Sequence, residues 1–537
     1  MGKTLEKKAP SQKEEFRKIV LEDFKLATIS RETSLLGRRE VLTGKAKFGI
    51  FGDGKEVAQI AWAKAFQKGD FRSGYYRDQT FMMAIGALTV KEFFASLYAN
   101  TDVEKEPASA GRQMNGHFAT RSLNADGSWK NLMEQYNVSA DISPTAGQMP
   151  RLVGLAEASK HYRVNKDLHS KTTFSNKGNE VAWGTIGNAS TSEGPFLEAI
   201  NAAGVLQVPM VMSVWDDEYG ISVHAKYQTT KESISEILAG FQRTNEKDGY
   251  EIMVVKGWDY PTLIETYEKA SALSRKEHVP VLIHVHEMTQ PQGHSTSGSH
   301  ERYKSPERLQ WEQDFDCIKK LREFIETTEL ATADELDAIV KEAKKEVRVA
   351  KGEAWKEFLG AIKVDVTEVS GLISNVASKS SNGAFINKVK TNLEAIGEPL
   401  FKDTVNAARE TLRFVRGENT AERTALINWL EEKNKIHFSK FSSFLHSESA
   451  ENANAISAVA PTFGETGEQV DARLVLRENF DHILTNRPEV MIFGEDSGKI
   501  GDVNQGLEGL QDKHGINRVY DTGIRECTIL GQGIGMA

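Results

Sequence analysis

Cysteine is almost missing from this chain of 537 residues, where Cys317 and Cys527 are the two present. Two thiols exclude a disulfide framework, fit a reducing compartment, and here lack the spacing of a metal-ligand pair. Long hydrophobic runs are missing too, so no segment has the length needed to span a bilayer. The opening MGKTLEKKAPSQKEEFRKIV has no apolar core of the kind a secretory signal carries. Positive charge is not in excess: 67 Lys and Arg face 76 Asp and Glu, for a formal net charge of −9. That balance argues against a nucleic-acid surface. The expectation is a soluble cytoplasmic protein with no nucleic-acid or membrane partner, long enough for roughly two to four domains.

The chain is organised around Val181 to Ser222, VAWGTIGNASTSEGPFLEAINAAGVLQVPMVMSVWDDEYGIS. The apolar run Val181 to Ile186 ends in the small polar cluster Gly187, Asn188, Ala189, Ser190, Thr191, Ser192, which reads as a strand entering a turn. Phe196, Ala199, Ile200, Ala203 and Leu206 then recur at helical spacing, with Pro195 near the start where its missing N–H is no loss. A second apolar run, Val208 to Val214, stops at Trp215, Asp216, Asp217, Glu218, Tyr219, Gly220. Strand, helix, strand predicts a crossover unit of a parallel sheet. Ligands of such sheets sit beyond the carboxyl ends of the strands, and both ends carry side-chain oxygens, on Asn188 and on Asp217. Free N–H groups at the start of the intervening helix favour an anion in the same crevice. Because Mg²⁺ is held by few carboxylates plus substrate phosphates, the pattern points to a metal-bridged diphosphate, with a structural crossover bearing polar loops as the alternative.

The stretch GNASTSEGPFLEAINAAGVLQVPMVMSVWDDEYGIS resembles the thiamine diphosphate motif of the α subunit of 2-oxo acid dehydrogenase E1 components. It departs from that motif at Gly187-Asn188-Ala189, where the family opens Gly-Asp-Gly or Gly-Glu-Gly, and at Asp216-Asp217, where the family closes on Asn-Asn. In the family one metal ligand is a carboxylate and the other a side-chain amide. The resemblance therefore implies that Asn188 supplies the amide and Asp217 the carboxylate, with the main-chain carbonyl of Tyr219 as third ligand. Gly187, Ala189 and Ser190 fall in the same cofactor-binding turn. The implied fold class is α/β, a thiamine diphosphate-binding fold of three α/β/α layers around a parallel sheet, with a helical connector and the start of a second similar domain.

Other motifs join this set by resemblance. Tyr76-Arg77 matches the Tyr-Arg pair with which E1 α subunits bind the cofactor diphosphate, and a guanidinium suits phosphate because it donates two parallel hydrogen bonds. Unaided, the residues read first as a surface Arg paired with Asp78. Ser143 and Thr145, in the segment DISPTAGQMP, inherit contacts to the aminopyrimidine ring, although Ser-Pro also starts ordinary turns. The Gly- and Ser-rich stretch from Gln290 to His300 predicts a mobile loop, in which His294-Ser295-Thr296-Ser297 matches a family loop whose His assists the proton steps. Gly111-Arg112-Gln113-Met114 resembles branched-chain members and is expected to shape the loop or substrate access. Gly52-Asp53-Gly54 reads as a turn opening a helix.

Residues from about 305 to 445 are helix-rich and charged, with Thr332 and Glu335 spaced as a capping box ahead of Leu336, Ile339, Val340, Ala343 and Val347. Residues 446–470 read as a linker. From residue 471 the pattern restarts and resembles the beginning of the E1 β subunit. Glu526 falls on the glutamate that favours the imino tautomer of the aminopyrimidine, and Ile524 lies beside it. The expected division is a polar tail over 1–18, an E1 α-type domain over 19–330, a helical connector over 331–445, the linker, and an incomplete β-type domain over 471–537. Glu526 and His294 are the implied catalytic residues, thiamine diphosphate and Mg²⁺ the implied cofactors. The implied activity is oxidative decarboxylation of a 2-oxo acid, branched-chain type (2-oxoisovalerate) favoured over pyruvate, with acyl transfer to a lipoyl-bearing E2 acyltransferase. A homodimer of fused chains would be the equivalent of α2β2. Because the chain stops inside what should be a longer β-type domain, a non-catalytic cofactor-binding or assembly module stays open beside the enzyme, and a transketolase-like enzyme is a third, less favoured reading.

Overall fold

Six strands lie side by side in the order Asn137–Val138, Phe71–Ser73, Ala182–Gly187, Met210–Trp215, Val281–His286, Glu251–Lys256, and every pairing between them is parallel. This is the sheet of a computed structural model that describes residues 12–296, 299–442, 445, 447, 449 and 452–537. The two central strands pair from Ala182↔Met210 to Gly187↔Trp215 and are joined by the helix Gly194–Leu206, as the apolar pattern predicts. They are buried throughout except at Gly187, which is why they read as continuous apolar runs rather than alternating ones.

Alternate side chains feed two cores. Trp183, Val211, Val281 and Ile283 pack with the helices Glu56–Ala65 and Tyr260–Glu277, while Ala182, Met210, Met212 and Leu282 pack with Gln148–Val164 and Gly194–Leu206. The result is the expected three-layer α/β/α arrangement. At the carboxyl ends, fully buried Arg72 spans two aspartates, with Nη2 to Asp78 Oδ2 at 2.6 Å and Nη1 to Asp141 Oδ1 at 2.9 Å. Thr185 of the neighbouring strand donates to the same Asp78 oxygen at 2.6 Å. The turn carrying Tyr75, Tyr76 and Arg77 is thereby fixed above the strand ends.

Two boundaries differ from the sequence expectation. The helix Gln12–Leu42 begins inside the supposed polar tail, and its Arg17 donates to the Leu330 carbonyl at 2.7 Å and to Glu335 at 2.7 Å. Residues 1–11 lie outside the described residues. The helix Ala333–Lys379 begins just past the expected boundary at 330, yet its first half belongs to the first body: Ala343, Val347 and Ala354 pack with Ile29, Phe93 and Tyr98 there, and Val369, Ile373 and Val376 pack with Ile386, Ala408 and Leu426 of a separate helical cluster. Its start carries the predicted capping box, with Thr332 N donating to Glu335 Oε2 at 2.9 Å.

In the linker region, residues 452–470 are mostly exposed and carry only the short turn Ala453–Ala455; residues 446, 448, 450 and 451 lie outside the described residues. The last segment forms the helix Ala472–Asn486 and two paired parallel strands, Ile492–Gly494 and Val519–Asp521. Of the predicted stripe Leu476, Phe480, Ile483 and Leu484, only Leu484 is buried, and Leu476 is exposed. The final helix, Glu526–Met536, lies on Gln148–Val164 through glycines: a Cβ at Gly154 would stand 2.1 Å from the Gln532 carbonyl, and one at Gly535 would stand 2.2 Å from that of Arg151. Among the described residues no helix is long and apolar enough to cross a membrane.

Candidate active site

A cavity of about 330 Å³ opens beyond the carboxyl ends of the two central strands, where ligands of open parallel sheets bind. Tyr76, Arg77, Thr145, Gly187, Asn188, Ala189, Ser190, Asp217, Tyr219 and His294 line it, so ten of the residues named from the sequence meet in one place. The register Gly187↔Trp215 explains why: it sets the turn starting at Asn188 next to the turn containing Asp217.

Asn188 is 6% exposed and Asp217 is 9% exposed. Asp217 accepts from the Tyr219 N–H at 3.2 Å and, through Oδ2, from Lys55 Nζ at 3.3 Å. Burial pushes the Asp217 carboxyl up, but the charges of Lys55, Lys304 and Arg77 hold it below the usual carboxylate range. It is an anion at neutral pH. Arg308 Nη2 donates to the Asp217 carbonyl at 3.0 Å, so the turn is braced from behind. Gly220 allows the next residues to close over this turn, since a Cβ there would stand 2.4 Å from that of Ala189.

This donor set suits Mg²⁺: one carboxylate, one side-chain amide, a neighbouring main-chain carbonyl, and space for phosphate oxygens, without histidine or thiol. Among the described residues the Asn188 carboxamide makes no hydrogen bond, which leaves its oxygen available to the crevice. Arg77 is buried, with Nη1 donating to the Phe51 carbonyl at 2.7 Å and Nη2 to the His294 carbonyl at 2.8 Å. The remaining N–H groups of its guanidinium are left for an anion.

His294 sits on the predicted loop. Burial first, then the charge of Arg77, lowers its imidazole to about 4. It is neutral at physiological pH and able to accept a proton. The loop is irregular, as expected, yet held: the Gln292 N–H donates to Asp53 at 2.8 Å, and Thr296 and Gly49 exchange hydrogen bonds at 3.2 Å. Ser297 of the matched loop motif lies outside the described residues.

Three expected site residues do not line the cavity. Ser143 is exposed and its Oγ meets His117 Nε2 at 2.9 Å. Ile524 is 83% exposed, and Glu526 is exposed at the first turn of the final helix. The cause lies in how that helix docks: its glycine face is against Gln148–Val164, and the Thr528 N–H and Oγ1 donate to Glu198 at 3.2 and 3.0 Å, which leaves Ile524 and Glu526 at the surface while Arg525 is buried. The Gly111–Met114 segment is shaped by Glu106, which accepts from the N–H groups of Ala108, Ser109 and Gly111.

Sequence reasoning missed Lys55, Tyr75, Gln290, Tyr303 and Lys304, all of which line the cavity. Lys304 carried no signal, being one cation among many, but its ammonium lies 5.0 Å from the Tyr219 ring centre and pairs with Glu312 at 2.6 Å. Lys55 follows the Gly52-Asp53-Gly54 turn, whose Gly54 has φ +86°.

Residues 25–359 match the family model described as Dehydrogenase E1 component. The chain is 28% identical over 318 residues to the 2-oxoisovalerate dehydrogenase subunit alpha of Bacillus subtilis, covering 57% of this chain and 84% of that protein. It is 25% identical over 318 residues to the mitochondrial 2-oxoisovalerate dehydrogenase subunit alpha 1 of Arabidopsis thaliana, covering 58% of this chain and 59% of that one. Similarity extends to the mitochondrial pyruvate dehydrogenase E1 component subunit alpha of Dictyostelium discoideum, 24% identical over 305 residues, 56% of this chain and 68% of that one. The chain thus spans most of the bacterial relative and less than two thirds of the plant one.

Proposed function

The chain belongs to the dehydrogenase E1 component family, whose members work with thiamine diphosphate and Mg²⁺, and we propose that its crevice holds that cofactor for the decarboxylation of a branched-chain 2-oxo acid. The observation that carries the reading is the pairing of Gly187 with Trp215, which sets Asn188 and Asp217 at adjoining strand ends beside the start of one helix. Asn188, Asp217 and the Tyr219 carbonyl hold the metal. Arg77 grips the diphosphate, and Tyr76 and Thr145 wall the cavity beside it. Bound there, the cofactor supplies the electron sink that decarboxylation requires.

His294, neutral and within the cavity wall, accepts and returns the proton of the substrate-derived hydroxyl. Burial by the loop from Gln290 to Thr296 keeps bulk water from the reacting atoms. The acyl group leaves to a lipoyl-bearing E2 partner. Because Glu526 is exposed rather than turned into its own crevice, it serves the crevice of a second copy, in a homodimer of fused chains in the cytoplasm. The lean to branched-chain over pyruvate follows the similarity to the 2-oxoisovalerate dehydrogenase alpha subunits of Bacillus subtilis and Arabidopsis thaliana.

The test is decarboxylation of 3-methyl-2-oxobutanoate and of pyruvate by the full chain with thiamine diphosphate, Mg²⁺ and an artificial electron acceptor. Turnover preferring 3-methyl-2-oxobutanoate, abolished by Asp217→Ala, supports the reading. Preference for pyruvate overturns the substrate class, and a protein that binds cofactor but turns over neither is an assembly module.

A further inference from the structure

Lys55 is buried in the wall of the crevice, 2% exposed. A lysine ammonium has three donors, and three oxygens face this one: Gln290 Oε1 at 2.7 Å, Asp217 Oδ2 at 3.3 Å and the Thr289 carbonyl at 3.3 Å. The backbone is built around that placement. Gly54 takes φ +86°, and a Cβ there would stand 2.0 Å from the Thr289 carbonyl, so the chain just before Lys55 lies directly against the strand end that supplies two of its three acceptors.

The ammonium therefore sits on the carboxylate assigned above to the metal. Asp217 Oδ1 is taken by the Tyr219 N–H at 3.2 Å, which leaves Oδ2 as the oxygen for which Lys55 and a divalent ion compete. The surroundings are ready to re-pair when Lys55 moves: Asp53 Oδ1, Thr289 Oγ1, Gln290 Nε2 and both amide atoms of Gln292 are buried without a hydrogen-bond partner. Arg77 and Lys304 line the same cavity.

We propose that Lys55 is a built-in counter-ion of this crevice, neutralising Asp217 when the metal is absent and reaching the diphosphate directly, so that diphosphate binding depends less on Mg²⁺ than an Asp–Asn metal site alone would allow. The proposal rests on the cofactor reading given above. A merely structural lysine would, when replaced, weaken every mode of binding together. A competing counter-ion splits them.

The experiment is calorimetric titration of thiamine diphosphate into the full chain, first in EDTA and then across a Mg²⁺ series, for wild type, Lys55→Gln and Lys55→Arg. Wild type is expected to keep measurable binding in EDTA. Lys55→Gln is expected to lose that binding by about tenfold or more, the scale of one charge-assisted hydrogen bond, while its half-saturating Mg²⁺ concentration falls. Lys55→Arg, which keeps the charge, retains the EDTA-resistant binding and serves as the second variant if the glutamine form does not fold. Wild-type binding that vanishes in EDTA, or a Lys55→Gln protein weakened equally with and without Mg²⁺, overturns the proposal. Absence of binding in wild type under every condition instead overturns the cofactor reading itself, and the proposal with it.

Discussion

Arg77 donates from Nη2 to the main-chain oxygen of His294 at 2.8 Å, so a single guanidinium ties the Tyr76-Arg77 turn to the loop that carries the proton-accepting imidazole. Its other anchor is the Phe51 carbonyl at 2.7 Å. Lysine has the charge but cannot span both carbonyls and a phosphate. Arg77→Lys is expected to weaken thiamine diphosphate binding by about tenfold to a hundredfold, as the loss of charge-assisted hydrogen bonds predicts. Calorimetric titration in excess Mg²⁺ measures it, and an unchanged affinity would remove Arg77 from the site.

The buried group Arg72, Asp78 and Asp141 supports that turn from below. Arg72→Met leaves two carboxylates without their cation at positions that are fully buried. A loss of about 3–5 kcal/mol is expected, the usual cost of breaking a buried pair from one side. Chemical denaturation followed by circular dichroism reads the loss, and a change below about 1 kcal/mol would show that water replaces the guanidinium.

The glycine contact between Gln148–Val164 and Glu526–Met536 predicts a local lesion. Gly535→Val forces a side chain toward a carbonyl that already lies 2.2 Å from the Cβ position, and overpacking of this kind costs about 1–3 kcal/mol. Amide exchange in residues 526–536 is expected to rise sharply while exchange in the strand Ala182–Gly187 stays as in wild type. Uniform acceleration across the sheet would mean that the last segment and the first body unfold as one.

Protonation acts further along Gln148–Val164, where His161 lies by Pro488 and Arg518 of the last segment. Burial, then the nearby charge of Arg518, lowers the His161 imidazole from 6.5 to about 4. The unfolded chain therefore binds the proton first, and stability that is complete above pH 6.5 is lost as pH falls through the range down to about 4. Glu157, which the glycine contact buries and whose carboxyl burial raises, acts in the opposite sense. Replacing the titrating ring isolates the term: His161→Leu is expected to flatten the fall of the thermal midpoint over this range, and a slope identical to wild type would exclude His161 as its cause.

Much of the site was legible because burial imposes simple patterns. Val181 to Val214 reads as strand, helix, strand since both strands are covered on both faces and so are mostly apolar without alternation, and Thr332 announces its helix through local capping bonds alone. Lys55 was not legible: an isolated lysine after a glycine turn looks solvated, and only the tertiary approach of Thr289 and Gln290 makes it a buried cation. The place where one core gives way to the next was hidden for a different reason. The Ala333–Lys379 helix, just past residue 330, is continuous, so nothing local marks where it leaves one core and enters another. Glu526 and Ile524 matched a motif, but where a motif faces depends on the docking of its helix, here set by glycines and Glu198 far away in sequence.

The metal assignment is tested most directly by exchanging its two side chains. Thiamine diphosphate is titrated calorimetrically into the full chain in excess Mg²⁺ for wild type, Asp217→Asn, and the double variant Asn188→Asp with Asp217→Asn. The single variant, left with no carboxylate ligand, is expected to bind about tenfold or more weakly, since a hydrogen bond or ligand contact involving a charge is worth at least that factor. The double variant, with amide and carboxylate traded, is expected to recover most of the affinity. Wild-type affinity in Asp217→Asn would contradict the assignment of Asn188 and Asp217 as the metal-holding pair.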